Sequence, residues 1–242
     1  MQQVHPLFGR VVVLDEHPPY DRALIEQLGL RGIHVGCGPN VRRHWLNTDR
    51  RVFADPDGGV SPPDRIVRAT HERYRERYFL SQDAREPYPV EDESFEFAYS
   101  EHFIEHVPLD GAVAWLREIR RLLRPGGFLR VSTPDLRKYV EGYLDPEGSF
   151  FAEHREVLRH IPQFRASGVP DRRGFMVNQI FRYFEHQWIY DLEEIRAAAA
   201  AAGFDPEAVT ECSFQTGRRP EVIKLDQASH SDESLYVEIE RT

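Results

Sequence analysis

The fold of this chain is decided by one stretch, Ile33-His34-Val35-Gly36-Cys37-Gly38-Pro39-Asn40. Its apolar beginning predicts a buried strand, and the two glycines that follow predict a tight turn. Glycine suits such a turn because it tolerates positive φ angles and lets the backbone approach a ligand closely. The stretch therefore predicts a strand and a ligand-binding turn near the start of an α/β domain.

The next two predicted strands are each followed by an acidic residue. Residues 45–49 predict a second strand that ends on Asp49, and residues 78–82 predict a third strand that is followed by Asp83. A carboxylate at a strand end can accept two hydrogen bonds from a ribose diol, as in dinucleotide-binding folds. Because only a short segment separates the glycine turn from Asp49, the first crossover helix must be short or absent.

The rest of the chain continues the alternation of strands and helices. Residues 50–77 are polar and predict a long surface loop with a helix from Ser61 or Pro63 to Arg77. An amphipathic helix precedes a Pro-Gly-Gly turn, and a second helix begins at Asp191. The other predicted strands are residues 10–15, 95–100, 128–133, 209–214 and 234–239.

Residues 136–188 lack a strand signal and are rich in aromatic residues and histidines. They predict a helical insertion over the strand ends, where a substrate lid would lie; a second hydrophobic packing layer is the alternative. We therefore divide the chain into an N-terminal extension (residues 1–31), a cofactor-binding core (residues 32–135 and 189–242) and this insertion.

Composition excludes several classes of protein. The 242 residues carry a net charge of −9, which speaks against general binding to the phosphate backbone of nucleic acids. Two cysteines, Cys37 and Cys212, give neither a disulfide framework nor the ligand spacing of a zinc site. The sequence shows no signal peptide and no apolar stretch of membrane-spanning length. We expect a cytoplasmic protein, a monomer or homodimer, that acts without nucleic acid, membrane or metal.

Together these motifs resemble those of class I S-adenosylmethionine-dependent methyltransferases, in particular the group often labelled type 11. The resemblance covers residues 32–240 and is most specific at Leu123-Arg124-Pro125-Gly126-Gly127-Phe128-Leu129. The missing third glycine and the short spacing to Asp49 resemble a subgroup with the pattern G-C-G…W-x-N-x-D. The resemblance implies a Rossmann-like, seven-stranded, mostly parallel sheet whose last strand is antiparallel, with a helical lid insertion.

The resemblance also implies a site for S-adenosyl-L-methionine, which methyl transfer converts to S-adenosyl-L-homocysteine. The glycine turn would hold the methionine part, Asp49 the ribose and Asp83 the adenine amine, while residues 99–106 would lie beneath the methionyl group. The implied cofactor-binding residues are Gly36, Cys37, Gly38, Asp49, Asp83, Ala84, Ser100, Glu101 and His106.

Methyl transfer from a sulfonium is an in-line displacement, so most of the catalysis is positioning and exclusion of water. An oxygen nucleophile usually also needs a base, and histidine suits that role because it titrates near neutrality. The candidate bases are His102, His154 and His186, with Tyr183, Glu185 or water as alternatives.

The sequence thus predicts a methyltransferase for a small molecule, such as a metabolite, a sugar or a natural-product intermediate, with transfer to oxygen or nitrogen. The first alternative is a nicotinamide-dependent oxidoreductase on a Rossmann sheet, and the second is a non-catalytic protein that binds S-adenosylmethionine. Three features speak against the oxidoreductase. The third glycine of the dinucleotide-binding fingerprint is missing, and that fold requires neither the Asp83-Ala84 pair nor the Pro-Gly-Gly turn.

Overall fold

The computed structural model describes residues 3–5, 9–50, 64–71, 75–165 and 168–242. The strands in these ranges are β1 (Gln3–His5), β2 (Gly9–Val13), β3 (Gly32–Val35), β4 (Trp45–Asp49), β5 (Ile66–His71), β6 (Arg75–Ser81), β7 (Phe95–Glu101), β8 (Leu123–Pro134), β9 (Val209–Cys212) and β10 (Ser234–Glu240). The helices are α1 (Arg22–Gln27), α2 (Leu109–Leu122), α3 (Leu136–Leu144), α4 (Ser149–Arg159), α5 (Pro162–Arg165), α6 (Arg173–Arg182), α7 (Leu192–Ala201) and α8 (Pro220–Ile223). None of the described helices is both long and apolar enough to cross a membrane.

The strands form one sheet in the order β1-β2-β5-β6-β4-β3-β7-β8-β10-β9. From β6 to β8 all neighbours are parallel, whereas β10 is antiparallel to both β8 and β9. The predicted Rossmann-like core with an antiparallel last strand is therefore confirmed in the seven strands from β6 to β9. The expected strand number is wrong, because β5, β2 and β1 extend the sheet beyond β6 by antiparallel pairing.

The prediction of a helix up to Arg77 is wrong where the structure describes that segment. Instead of a helix, β5 and β6 form an antiparallel pair that joins Ile66 to Leu80 and His71 to Arg75; the predicted helix start lies outside the described residues. Ile66 is buried in the main core, while Val67 packs on Phe79 in a smaller cluster. Burial on both faces favours β-branched residues in a strand and outweighs the polar composition around them.

The connection between β3 and β4 contains no helix, as the short spacing predicted. Residues 36–44 form turns, and the side chain of Asn47 holds them against the sheet. Its Oδ1 accepts a hydrogen bond from the Arg42 backbone N–H (2.6 Å), and its Nδ2 donates to the Arg42 carbonyl (2.9 Å). Asn47 thus replaces the support that a crossover helix would give.

The helices pack as the apolar patterns predicted. Helix α2 turns a stripe of buried residues toward the sheet, and α7 is capped by Asp191, whose carboxylate accepts from the Glu194 N–H (2.9 Å). Helices α3 to α6 lie in the predicted insertion (residues 136–188) and share a hydrophobic cluster of their own that includes Tyr139, Phe151 and Met176. The insertion therefore has its own core.

Candidate active site

A cavity of about 400 Å³ opens at the carboxyl ends of β3, β4, β6 and β7. The strand order reverses between β3 and β7, and such switch points are where open α/β sheets bind ligands. The cavity is lined by Val35, Gly36, Thr48, Asp49, Arg50, Gln82, Asp83, Ala84, Arg85, His102, Phe103, His106, Val107, Phe184, Glu185 and Gln187.

The cavity brings together half of the site residues predicted from sequence. Those in its wall are Gly36, Asp49, Asp83, Ala84, His102 and His106. Those outside the wall are Cys37, Gly38, Ser100, Glu101, His154 and His186.

The glycine turn and Asp49 are joined directly. Gly36 and Gly38 have φ angles of +65° and +47°, in the left-handed region that L side chains rarely adopt. The Gly38 N–H donates to Asp49 Oδ2 (3.0 Å), so the turn holds one carboxylate oxygen in place. A Cβ on Gly36 would lie 2.9 Å from the Cβ of Phe103, which lines the cavity. The turn therefore needs glycine at residue 36 for both its conformation and its space.

We expect Gly36→Ala to weaken binding of S-adenosylhomocysteine by roughly 10- to 100-fold, because overpacking against Phe103 costs about 1–3 kcal/mol. Calorimetric titration measures this effect. Gly148→Ala is the matched control, since Gly148 has a φ of +67° but no atom within 4 Å of the added Cβ. Both variants should lose about 1–2 kcal/mol of stability from the left-handed backbone. Equal affinity in the two variants would contradict a role for Gly36 at the ligand.

Cys37 lies beneath the turn. Its N–H donates to the Thr48 carbonyl (3.1 Å), and its buried side chain is not part of the cavity wall. Burial raises the pKa of the Cys37 thiol. The residue is therefore an uncharged thiol that supports the turn.

Asp83 is held by two arginines at the mouth of the cavity. Arg85 donates to both of its oxygens (Nε to Oδ1, 3.0 Å; Nη2 to Oδ2, 2.7 Å), and Arg50 Nε lies 3.6 Å from Oδ2. The hydrogen bonds from Arg85 are the main reason that the pKa of Asp83 is lowered to about 2. Asp83 is therefore ionised at neutral pH, and a ligand amine would share its oxygens with Arg85.

Glu105 is a residue that the sequence analysis missed. It is fully buried beside the cavity, and its Oε2 accepts a hydrogen bond from Thr133 Oγ1 (3.1 Å). Its Oε1 lies 3.3 Å from His102 Nδ1 and 4.0 Å from His106 Nε2. Burial alone would raise the pKa of Glu105, but the His102 ring outweighs it and lowers the pKa. The available signal was an acid flanked by histidines at positions −3 and +1.

His102 lines the cavity with a constrained ring. Its Nε2 lies 2.7 Å from Ser234 Oγ, and its ring stacks on His230 with centroids 4.3 Å apart. Burial alone would lower the pKa of His102, but the neighbouring Glu105 carboxylate outweighs it and raises the pKa. The ring is therefore a proton carrier in contact with the cavity.

His186 lies next to the cavity wall. Its Nδ1 is 2.6 Å from the Ile180 carbonyl, so this nitrogen carries the proton. Its ring packs against that of His106 with centroids 4.9 Å apart, and burial lowers the pKa of His186. A neutral His186 thus keeps an unprotonated Nε2 beside the cavity.

His154 belongs to the insertion. It is buried with Nε2 2.7 Å from the Tyr139 hydroxyl and Nδ1 2.7 Å from Asp232 Oδ2. Among the other residues outside the wall, Ser100 is buried in β7, and Glu101 accepts hydrogen bonds from the N–H and Nε2 of Gln227 (2.8 and 2.6 Å). His154 and Glu101 thus join segments that are distant in the sequence.

Three residues of the cavity wall have a left-handed backbone without being glycine. The φ angles are +47° at His102, +62° at Phe184 and +61° at Glu185. Such conformations cost free energy and cluster at functional sites, where the surrounding structure enforces them. The strain favours a functional rather than a merely structural cavity.

A family model described as a methyltransferase domain matches residues 18–209, well over half of the chain. None of the curated proteins compared with the chain matches it.

Solved structures similar to the chain include three named as methyltransferases. An S-adenosylmethionine-dependent methyltransferase from Mesorhizobium loti is 19% identical, with 90% of this chain and 96% of that chain covered and a TM-score of 0.44. A possible histamine N-methyltransferase from Thermotoga maritima is 16% identical (91% and 88% covered, TM-score 0.44). The CurJ carbon methyltransferase is 12% identical (88% and 49% covered, TM-score 0.45). Scores of this size assign neither a substrate nor an acceptor atom.

Proposed function

This chain belongs to the methyltransferase domain family, with S-adenosylmethionine as its methyl donor, and we propose that it methylates a small molecule on oxygen or nitrogen. The observation that carries the proposal is the cavity at the switch point of the sheet, of about 400 Å³, within the range of small-molecule sites. Its strained wall includes Phe184 and Glu185 from the segment after α6. The net charge of −9 also favours a small acceptor over a nucleic acid.

The residues present fit the cofactor. We place its methionine part at the turn of Gly36, Cys37 and Gly38, where the absence of a side chain on Gly36 leaves room beside Phe103. Asp49 would receive the ribose hydroxyls, since the Gly38 N–H already orients its carboxylate. These assignments predict that the two strand-end positions, rather than any single glycine, supply most of the polar recognition.

The remaining cofactor assignments differ in their support. Asp83 and Ala84 line the cavity where we place the adenine, and His106 lines it nearer to the helical insertion. Ser100 and Glu101 would act only through neighbours, because neither lies in the cavity wall. We therefore propose them as supporting residues of β7, from which the wall segment at His102 continues.

The chain's own contribution to methyl transfer is to hold the acceptor in line and to exclude water. Phe103, Val107 and Phe184 supply apolar wall surface for this purpose. Of the three candidate bases, His102 lies in the wall, and we propose that its Nδ1, the nitrogen that faces Glu105, receives the acceptor's proton, because its Nε2 is engaged by Ser234. His154 and His186 lie outside the wall and would position other groups.

We propose that residues 136–188 form the acceptor side of the site. The support is that Phe184, Glu185 and Gln187 lie opposite the strand ends in the same cavity. Two backbone hydrogen bonds fix this segment to the core, from the N–H groups of Gln187 (2.7 Å) and Trp188 (3.2 Å) to the Glu105 carbonyl. This anchor keeps Phe184 and Glu185 in the cavity wall.

The proposal is tested by incubating the protein with methyl-labelled S-adenosylmethionine and a panel of small hydroxyl and amine compounds, with total RNA and denatured protein as parallel acceptors. We expect label on small molecules, with S-adenosylhomocysteine formed in equal amount. Label on RNA or protein instead would overturn the small-molecule assignment. Binding of S-adenosylhomocysteine without transfer to any acceptor would favour the non-catalytic alternative.

A further inference from the structure

We propose that Glu105, His106 and His186 bind a divalent transition-metal ion beside the cavity. One carboxylate oxygen and two imidazole nitrogens of these residues lie within 4.8 Å of one another. Imidazole and carboxylate together suit ions such as Zn²⁺, Fe²⁺, Co²⁺ and Ni²⁺. The three come from two separate segments, the turn after β7 and the segment after α6, which meet at this point.

The Glu105 carboxylate is a buried charge whose hydrogen bonding is incomplete. The Glu105 side chain is fully buried, and Oε2 has its partner in Thr133. Its Oε1 makes no well-aligned hydrogen bond among the residues that the structure describes, although His102 Nδ1 lies 3.3 Å from it. A buried carboxylate oxygen is costly unless it is paired or coordinates a metal. This oxygen is the one that lies 4.0 Å from His106 Nε2.

The hydrogen bonds of His102 show which of its ring nitrogens carries a proton. The Ser234 hydroxyl donates to the His230 carbonyl (2.6 Å), so at 2.7 Å it must accept from an N–H at His102 Nε2. In a neutral ring, His102 Nδ1 is then a lone pair that faces Glu105 Oε1 across 3.3 Å. A neutral His102 therefore offers Oε1 no N–H, and this oxygen can face a cation held together with His106 and His186.

The ring of His186 is held in one tautomer by the backbone. Its Nδ1–H donates to the Ile180 carbonyl, which leaves Nε2 as the nitrogen with a free lone pair. Metal-binding histidines almost always donate the other ring N–H to a carboxylate, backbone carbonyl or water, which fixes the tautomer and the ring. His186 is thus already held as a metal ligand would be.

The spacing requires a small closure. Ligand atoms of a tetrahedral zinc ion lie about 3.3 Å apart when the bonds are about 2.0–2.1 Å, so the separations, which are within 4.8 Å, must shorten by up to about 1.5 Å. The His106 side chain is 36% exposed and lies in the cavity wall, so its ring has room to turn. Three protein ligands leave a fourth position open, as in catalytic zinc sites.

That open position would adjoin the cavity through His106. There the ion would bind an acceptor oxygen and lower the pKa of its hydroxyl, the usual Lewis-acid role. This role rests on the proposed function, whereas metal binding itself does not.

A second group, His102, His230 and Glu233, also brings three possible ligands within 4.8 Å. Its polar atoms are already engaged, because Glu233 Oε2 accepts from the Tyr139 hydroxyl (2.6 Å) and His102 Nε2 bonds Ser234. We therefore assign the ion to the group around Glu105, and His230 provides the variant that discriminates between the groups.

The test is titration of chelator-treated full-length protein with Co²⁺, followed by calorimetry and by the visible absorption of the bound ion. We expect one Co²⁺ per chain and more than about a 100-fold loss of affinity in His106→Ala and in His186→Ala, since even outer-shell changes cost 10- to 100-fold. His230→Ala and His160→Ala, at an exposed histidine of the insertion, should keep the wild-type affinity.

Absence of saturable Co²⁺ binding by the wild-type protein would overturn the proposal. Loss of binding in His230→Ala but not in His106→Ala would also overturn it. Far-UV circular dichroism and the urea unfolding midpoint of the same variants show whether each one is folded. Because the readout is the ion itself, its result does not depend on finding an acceptor.

Discussion

Replacing Asp49 by alanine is expected to weaken binding of S-adenosylhomocysteine by at least about 100-fold. Hydrogen bonds to a charged group contribute about 1.5–3 kcal/mol each, and the carboxylate would make two to the ribose diol. The substitution also releases the Gly38 N–H, which Asp49 Oδ2 holds at 3.0 Å. The effect is thus a joint loss of a ligand contact and of the turn that presents the methionine end.

Asp49→Asn separates these contributions. The amide keeps the shape and one acceptor oxygen, so we expect an intermediate loss of roughly tenfold. Asp15→Ala is the control, because Asp15 is exposed and is not part of the cavity wall. Calorimetric titration of the three variants gives the order of affinities. Wild-type affinity in Asp49→Ala would rule out a contact between this residue and the ligand.

Replacing Asp226 by alanine is expected to lower the free energy of unfolding by about 3–5 kcal/mol, the usual cost of stranding one partner of a buried ion pair. Arg130 is fully buried in β8, and its Nε and Nη2 donate to the two Asp226 oxygens at 2.8 and 2.6 Å. Its Nη1 also donates to Glu238 Oε1 (3.2 Å), so one carboxylate partner remains beside the backbone carbonyls of Ser213 and Thr216. Asp226 Oδ2 further accepts from the Gln215 N–H (2.8 Å), which ties residues 213–227 to the sheet.

Urea denaturation measures this loss from the unfolding midpoint and slope. The exposed pair of Arg137 and Glu141 on α3 is the control, because solvent screens such pairs. Glu141→Ala should leave the midpoint unchanged within error. A small shift in Asp226→Ala, similar to that of the control, would mean that water or Glu238 compensates Arg130 and that the cluster does not hold this segment.

Local patterns predicted most of the sheet. The buried run before the glycine turn became the central strand β3, and the apolar stripe of α2 became its buried face. The structure has strand β5 where the sequence predicts a loop and a helix before β6. Ile66 and Val67 are only a short apolar run inside a polar segment. Their pairing with β6 depends on contacts that a sequence window does not contain.

In the candidate site, too, the sequence could place some residues and not others. Strand ends are fixed by the parallel sheet, so Asp49 and Asp83 could be placed at one edge from sequence alone. The burial of Glu105 and its distances to two histidines arise from tertiary packing. The same holds for the residues after α6: which of them reach the cavity depends on how the insertion packs on the core. The sequence makes His186 a candidate base, and the structure adds that its Nδ1 is engaged by the Ile180 carbonyl, so that only its Nε2 could take up a proton.

The most direct test of the account is calorimetric titration of the wild-type protein with S-adenosylhomocysteine, and with NADH in parallel. The account predicts one site per chain with a dissociation constant in the micromolar range and no heat of binding with NADH. Absence of binding to S-adenosylhomocysteine, or saturable binding of NADH, would contradict the assignment of the cavity to the methyl donor.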